Sequence, residues 1–172
     1  LSQNHILSAL LSNGNLPQLD LSNANNLMDE QSIGMLTSPF ENIANGLHSL
    51  DLSRIKLSEA SCLELFRCLA NVRSLDTLEL SDCFSNVSGH LSGMLVGHGL
   101  ADTLVQCTSI KKLVLSAKKS LGMFTGPPSH VILPFIQRMQ RNESLLQLDV
   151  SGNRIGDQIA LALADLLRCN TT

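Results

Sequence analysis

The chain has no tryptophan and no tyrosine, and its five phenylalanines bring the aromatic share to only 3% of 172 residues. Stacking platforms for bases or sugars are therefore missing, and any core must be aliphatic. Positive charge is scarce too: 12 Lys and Arg stand against 15 Asp and Glu, a formal net charge of −3. Tracking a phosphate backbone takes a basic stripe, so nucleic acid is not an expected partner. No apolar run reaches the roughly 18 residues of a membrane span, and the first residues carry no charged leader with a cleavage site. Direct membrane insertion is not expected either.

Cys62, Cys68, Cys83, Cys107 and Cys169 are odd in number and scattered, with no C-x-x-C pair. That argues against a disulfide framework and for a reduced, cytoplasmic setting. The motifs of catalysis are absent as well. There is no phosphate loop and no G-x-G-x-x-G, and Gly89-His-Leu-Ser-Gly93 has its serine in the wrong place for a nucleophile elbow. His90 and His98 fall near Cys83 in sequence, but their spacing fits no metal-ligand pattern. No enzyme activity, cofactor or metal is expected.

Leucine, by contrast, makes up about a fifth of the chain, and it recurs in a fixed phrase. In Leu145-Leu-Gln-Leu-Asp-Val-Ser-Gly-Asn-Arg-Ile155, the positions Leu145, Leu148, Val150 and Ile155 follow the L-x-x-L-x-L-x-x-N-x-L pattern of a leucine-rich repeat, with Asn153 placed to satisfy turn backbone. The phrase returns as Leu16-Pro-Gln-Leu19-Asp-Leu21, Leu47-His-Ser-Leu50-Asp-Leu52, Leu75-Asp-Thr-Leu78-Glu-Leu80 and Ile110-Lys-Lys-Leu113-Val-Leu115. A sixth, partial copy opens the chain at Leu1-Ser-Gln-Asn4-His-Ile6. The expected fold is α/β, a right-handed leucine-rich-repeat solenoid with parallel strands on the concave face and helices outside. Residues 1–172 read as one domain, a piece of a longer solenoid with both ends uncapped.

Between the phrases lie helical patterns. Ser58 is placed to cap a helix burying Cys62, Leu65, Phe66 and Leu69 and ending near Asn71. Asp29 caps a short helix over 30–36, and Ser38-Pro-Phe-Glu41 is a capping box. Ser129 caps a helix containing Phe135, Ile136 and Met139, and Asp157 one whose face is Ile159, Leu163, Leu166 and Leu167. The 35-residue spacings from Leu80 to Leu115 and from Leu115 to Val150 place insertions between strand and helix, at Cys83–Gly99 and Ala117–Pro128. Asn86-Val-Ser, Asn142-Glu-Ser and Asn170-Thr-Thr match the glycosylation sequon. Asn142 and Asn170 end helices, where they are read as left-handed caps.

In register, the repeats place Asp20, Asp51, Glu79, Val114 and Asp149 in one outward column, with Ser22, Ser53, Ser81, Ser116 and Ser151 beside it. Asp20, Asp51, Glu79, Asp149, Ser53, Ser81 and Lys112 are the candidate partner-binding residues of the concave face. Such a column attracts a basic protein surface. The same residues also suit a solvated strand face with turn hydrogen bonds. Lys118 and Lys119, near Lys111 and Lys112, form a small basic edge.

The stretch Asn142-Glu-Ser-Leu-Leu-Gln-Leu-Asp-Val-Ser-Gly-Asn-Arg-Ile-Gly-Asp-Gln-Ile-Ala-Leu-Ala-Leu-Ala-Asp-Leu-Leu-Arg-Cys-Asn-Thr resembles the late repeats of the capping protein, Arp2/3 and myosin-I linker (CARMIL) family. The resemblance is greatest over residues 139–172. Repeats of tropomodulin and of nucleotide-sensing receptors read much alike. What the resemblance implies is a non-enzymatic scaffold regulating actin filament capping and assembly at the cell cortex. Its partners would be actin-regulatory proteins, and any homodimer would form through regions outside this chain. The family's capping-protein-binding motif has no match in these residues. Two other readings stay open: a leucine-rich-repeat activator of a small GTPase, and the sensor repeats of an innate-immune receptor.

Overall fold

In the computed structural model, which describes residues 16–24, 46–117 and 127–170, each of the five complete copies of the leucine phrase becomes a strand. Strands β1 (Gln18–Asp20), β2 (Ser49–Asp51), β3 (Thr77–Glu79), β4 (Lys112–Val114) and β5 (Gln147–Asp149) form one parallel five-stranded sheet in sequence order. Leu19, Leu50, Leu78, Leu113 and Leu148 pair in register across it. Parallel neighbours need a crossover. Helices supply it: α1 (Glu59–Leu69) between β2 and β3, α2 (His90–Gln106) between β3 and β4, α3 (Ser129–Arg138) between β4 and β5, and α4 (Asp157–Cys169) after β5. Each of these helices packs on the next, so the architecture is α/β with the core between sheet and helices.

The core is mostly aliphatic, but not wholly so: Phe66, Phe84 and Phe135 and the thiols of Cys62, Cys68, Cys83 and Cys107 are buried in it. Leu50, Leu78 and Leu113 are each 0% exposed and Leu19 is 7% exposed, whereas Leu148 is half-buried. The last unit departs from its expected core: Leu145 and Val150 are half-buried, and Ile155 is 39% and Leu167 77% exposed. Ala162 takes Leu167's place on the buried face of α4 with Ile159 and Leu166. Leu167 fits a helical period, but it flanks the buried stripe of α4 and is left exposed.

Helix starts follow the sequence in part. Ser58 caps α1, accepting from the Ser61 N–H at 3.2 Å, and Cys62, Leu65, Phe66 and Leu69 are its buried face. Pro128 rather than Ser129 stands at the cap of α3, and Gly156 rather than Asp157 at that of α4. Asp157 falls in the first turn instead, where a carboxylate complements the helix dipole. α3 gives way at Met139 to a short 3-10 turn, Met139–Arg141.

The larger difference is α2. The stretch expected as an insertion around Cys83–Gly99 is largely helix, so His90 and His98 ride on a 17-residue helix rather than in a loop. Its glycines serve packing. A Cβ on Gly97 would stand 2.4 Å from the Val131 carbonyl oxygen, and one on Gly93 would stand 2.0 Å from His130 Cδ2 and 2.7 Å from the His130 carbonyl oxygen. That His130 carbonyl lacks an i+4 donor because Pro134 has no N–H. The helices approach so closely there that only glycine fits. The predicted helices at Asp29 and Ser38, the partial copy at Leu1, and most of the insertion expected at Ala117–Pro128, with Lys118 and Lys119, lie outside the described residues.

Candidate interaction surface

The strand ladder arranges its exposed face as two columns. Register places Gln18, Ser49, Thr77, Lys112 and Gln147 in one, and Asp20, Asp51, Glu79, Val114 and Asp149 in the other. Neighbouring strands stand about 4.8 Å apart. Asp20 is exposed and Asp51, Glu79, Asp149 and Lys112 are half-buried, so the sheet face brings the predicted charged residues together. Val114, the apolar member, is 8% exposed. At the near edge His48 Nδ1 meets Asp76 Oδ2 at 3.1 Å, both side chains more than half exposed.

The serine column goes elsewhere. Ser53, Ser81 and Ser116 are 2%, 0% and 8% exposed, so Ser53 and Ser81 offer no surface to a partner, contrary to the expectation for them. They belong to the turn. Asp20 accepts the Ser22 N–H at 2.8 Å, Asp51 the Ser53 N–H at 2.7 Å, and Asp149 the Ser151 N–H at 2.8 Å. The Ser53 hydroxyl also reaches Asp51 and, at 3.1 Å, Glu79 Oε1 on the neighbouring strand. Ser81 and Ser116 hydroxyls meet at 2.9 Å. Hydrogen bonds from Ser22 hold the Asp20 carboxyl below its ordinary range, and those from Ser151, helped by Lys112, do the same for Asp149. These acids stay ionised, so the column carries negative charge at neutral pH.

After each of these serines except Ser116, the chain turns through the left-handed region: φ is 63° at Asn23 and Arg54, 59° at Asp82 and 73° at Gly152. The apolar periodicity gave no hint of this. The signal lies in the Asp-x-Ser spacing that builds the turn. One position further on, Asn153 does what its place in the phrase predicts, its amide donating to the carbonyls of Leu115 and Val150, both at 2.8 Å. Cys83 occupies the same position two turns of the ladder earlier, and its thiol donates to the Leu52 carbonyl at 2.9 Å. Burial pushes the Cys83 and Cys62 thiols well above their usual range, which makes them inert as nucleophiles.

The helix-to-strand junctions also correct an expectation. Asn142 and Asn170 are extended, at φ −82° and ψ 123° and at φ −93° and ψ 121°, rather than left-handed. Asn142 is 3% exposed. Its side-chain Oδ1 accepts from the Ser144 and Leu145 N–H groups at 3.0 and 2.8 Å, and its side-chain amide Nδ2 donates to the Leu104 carbonyl at 2.9 Å. The side chain takes over the work of a left-handed cap.

On the helix side, a groove of about 540 Å³ between α2 and α3 is lined by His98, Asp102, Val105, Gln137, Arg138 and Gln140. Its cation is already paired, Arg138 with Asp102. Among the described residues, no three His, Cys, Asp or Glu gather in a metal-holding group, and no helix is long and apolar enough to cross a membrane.

No family model matches the chain. A curated relative, the Rho GTPase-activating protein gacW of Dictyostelium discoideum, is 26% identical over 167 residues, which is 97% of this chain and 14% of the relative. The chain thus spans about a seventh of that relative's length. Among solved structures it is similar to the actin-binding site 2 of leiomodin-1, with a TM-score of 0.66 and 11% identity over 99% of this chain and 90% of that one. It is also similar to the tropomodulin C-terminal domain of Caenorhabditis elegans, with a TM-score of 0.57 and 15% identity over 97% of this chain and 95% of that one. At such identities the likeness is one of fold.

Proposed function

We propose that the chain is a leucine-rich-repeat solenoid acting as a non-enzymatic protein-interaction scaffold, part of a cytoplasmic, cortex-associated regulator of actin filament capping and assembly. The observation that carries this reading is the sheet face, where Asp20, Asp51 and Glu79 stand in register on consecutive strands with their backbone held by the turns behind them. A rigid row of ionised groups a strand spacing apart suits a basic protein surface better than a small molecule. Two solved domains of similar fold support the actin assignment: one is described as an actin-binding site and the other belongs to tropomodulin. The resemblance of residues 142–172 to the late repeats of the capping protein, Arp2/3 and myosin-I linker family supports it as well. Partners would then be actin or actin-regulatory proteins.

Co-sedimentation with actin filaments, alone and with filament-capping protein, tests the proposal. The chain is expected in the pellet in a salt-sensitive manner, with the Asp51→Lys, Glu79→Lys double variant weakened about tenfold or more. Binding by neither actin nor capping protein, or binding that ignores both the double variant and added salt, would overturn it.

A second reading has its own observation, the relative named as a Rho GTPase-activating protein. Under it the chain assists hydrolysis by a small GTPase. A Rho-type GTPase whose turnover rises with added chain would support this reading over a pure scaffold.

A further inference from the structure

We propose that the outer face of α2 is a dimer interface, along which two copies of the chain pair antiparallel about a two-fold axis. The pairing uses a helix in the middle of the ladder and needs neither the sheet face nor a region outside this chain. Its first support is the composition of α2. A helix on a solvated surface carries polar and charged residues on its outer side, whereas the 17 residues of α2 hold one charged side chain, Asp102. Its outer side is apolar instead: Leu91, Leu95 and Val105 are 69%, 44% and 44% exposed. Leu63 of α1, also exposed, widens the patch, lying where a Cβ on Gly99 would meet its Cδ2 at 3.1 Å. With the half-buried His98 and Asp102, the exposed residues of α2 form one line, 91, 95, 98, 102 and 105. Its alternating steps of four and three keep the line facing a second helix laid alongside.

The order of side chains along that line selects a second copy and its direction. Laid antiparallel with the axis level with Leu100, Leu95 comes opposite the partner's Val105 and His98 opposite the partner's Asp102, and symmetry repeats each contact in reverse. Apolar then meets apolar at both ends, and imidazole meets carboxylate between them. A ring N–H donates to a carboxylate whether or not the ring is charged. Asp102 has an oxygen to offer, because Arg138 Nε takes only its Oδ1. Laid parallel in register, the same face would set Asp102 against the partner's Asp102, which like charge opposes. The groove of about 540 Å³ between α2 and α3, lined in part by His98, Asp102 and Val105, flanks the seam and leaves the partner's Leu95 a seat beside Val105.

Sedimentation equilibrium of the 172-residue chain tests the pairing. A single helix seam is a small interface, so a monomer–dimer equilibrium with a dissociation constant of about 10 to about 500 µM is expected. Leu95→Asp changes an exposed side chain of the monomer; it should keep the parent circular dichroism and weaken dimerisation about tenfold or more, by burying an unpaired charge in the seam. His98→Asp should weaken it likewise, by setting Asp against Asp in both central layers, and adding Asp102→His to that variant should recover most of the loss. A parent chain that stays monomeric up to about 500 µM would overturn the proposal. So would a dimer that Leu95→Asp or His98→Asp leaves intact, since association would then lie at the ends of the ladder or on the sheet face. A double variant that pairs no more tightly than His98→Asp would overturn it too. Should Leu95→Asp fail to fold, the exchange of His98 and Asp102 decides by itself. None of these readouts depends on the sheet face binding actin, so the two proposals fail separately.

Discussion

Asp149 does two things that pull on the same charge. It faces solvent from the ladder, and it anchors the turn behind by accepting the Ser151 N–H at 2.8 Å. Hydrogen bonds to its ionised form lower its pKa in the folded chain. For a carboxyl lowered on folding, the stabilisation is fully present above the unfolded value and is lost as pH falls through the folded one. Asp149→Asn should therefore lower the melting temperature at neutral pH and lose less than the parent chain between about pH 5 and about pH 2. Thermal unfolding followed by circular dichroism across that range checks it; parallel curves for the two chains would mean that the turn does not depend on the charge. Of this anchoring, the spacing of the acid and the serine was legible in the sequence. The direction of the serine was not, because the same Asp-x-Ser pair leaves its serine exposed at Ser151 and folds it under at Ser53.

At the scale of elements, α2 is where sequence and structure part. Glycine costs about 1 kcal/mol relative to alanine inside a helix, so a stretch holding Gly93, Gly97 and Gly99 reads as a loop when considered alone. What overrides that cost is α3: the Val131 and His130 carbonyls lie where a side chain on Gly97 or Gly93 would be. That information resides in residues some 35 positions away, and no local pattern carries it. The strands were legible because each repeats the same alternation five times, and α1 because Ser58 and its buried stripe are both local. Gly97→Ala should gain helix propensity yet destabilise the chain by about 1–3 kcal/mol through overpacking. Gly156→Ala is the control: nothing lies within 4 Å of the added Cβ and φ is −84°, so the gain from a stiffer unfolded chain is offset by alanine's poorer preference for the N-cap, and the net change should stay within about 1 kcal/mol. Denaturant midpoints of the two variants measure the difference, and equal midpoints would show that the α2 and α3 backbones can separate freely.

Over the whole molecule, stability depends on each unit having a neighbour, because a strand of three residues and one helix cannot enclose their own leucines. Leu113 and Leu148 occupy the same register position on adjacent strands and differ only in what lies beyond them. Leu113 has units on both sides and is 0% exposed, while Leu148 is half-buried. Truncation of the first should leave a cavity walled on all sides and cost about 2–5 kcal/mol. Truncation of the second opens onto solvent, so Leu148→Ala should cost about half as much or less, since part of its apolar area was never withdrawn from water. Urea unfolding of both variants decides the matter. A common loss of several kcal/mol at the two positions would require the β5 edge to be covered in solution, and equal but negligible losses would mean that the leucine ladder is not what holds the chain together. The predicted inequality follows from the stacking alone, whichever partner the sheet face takes.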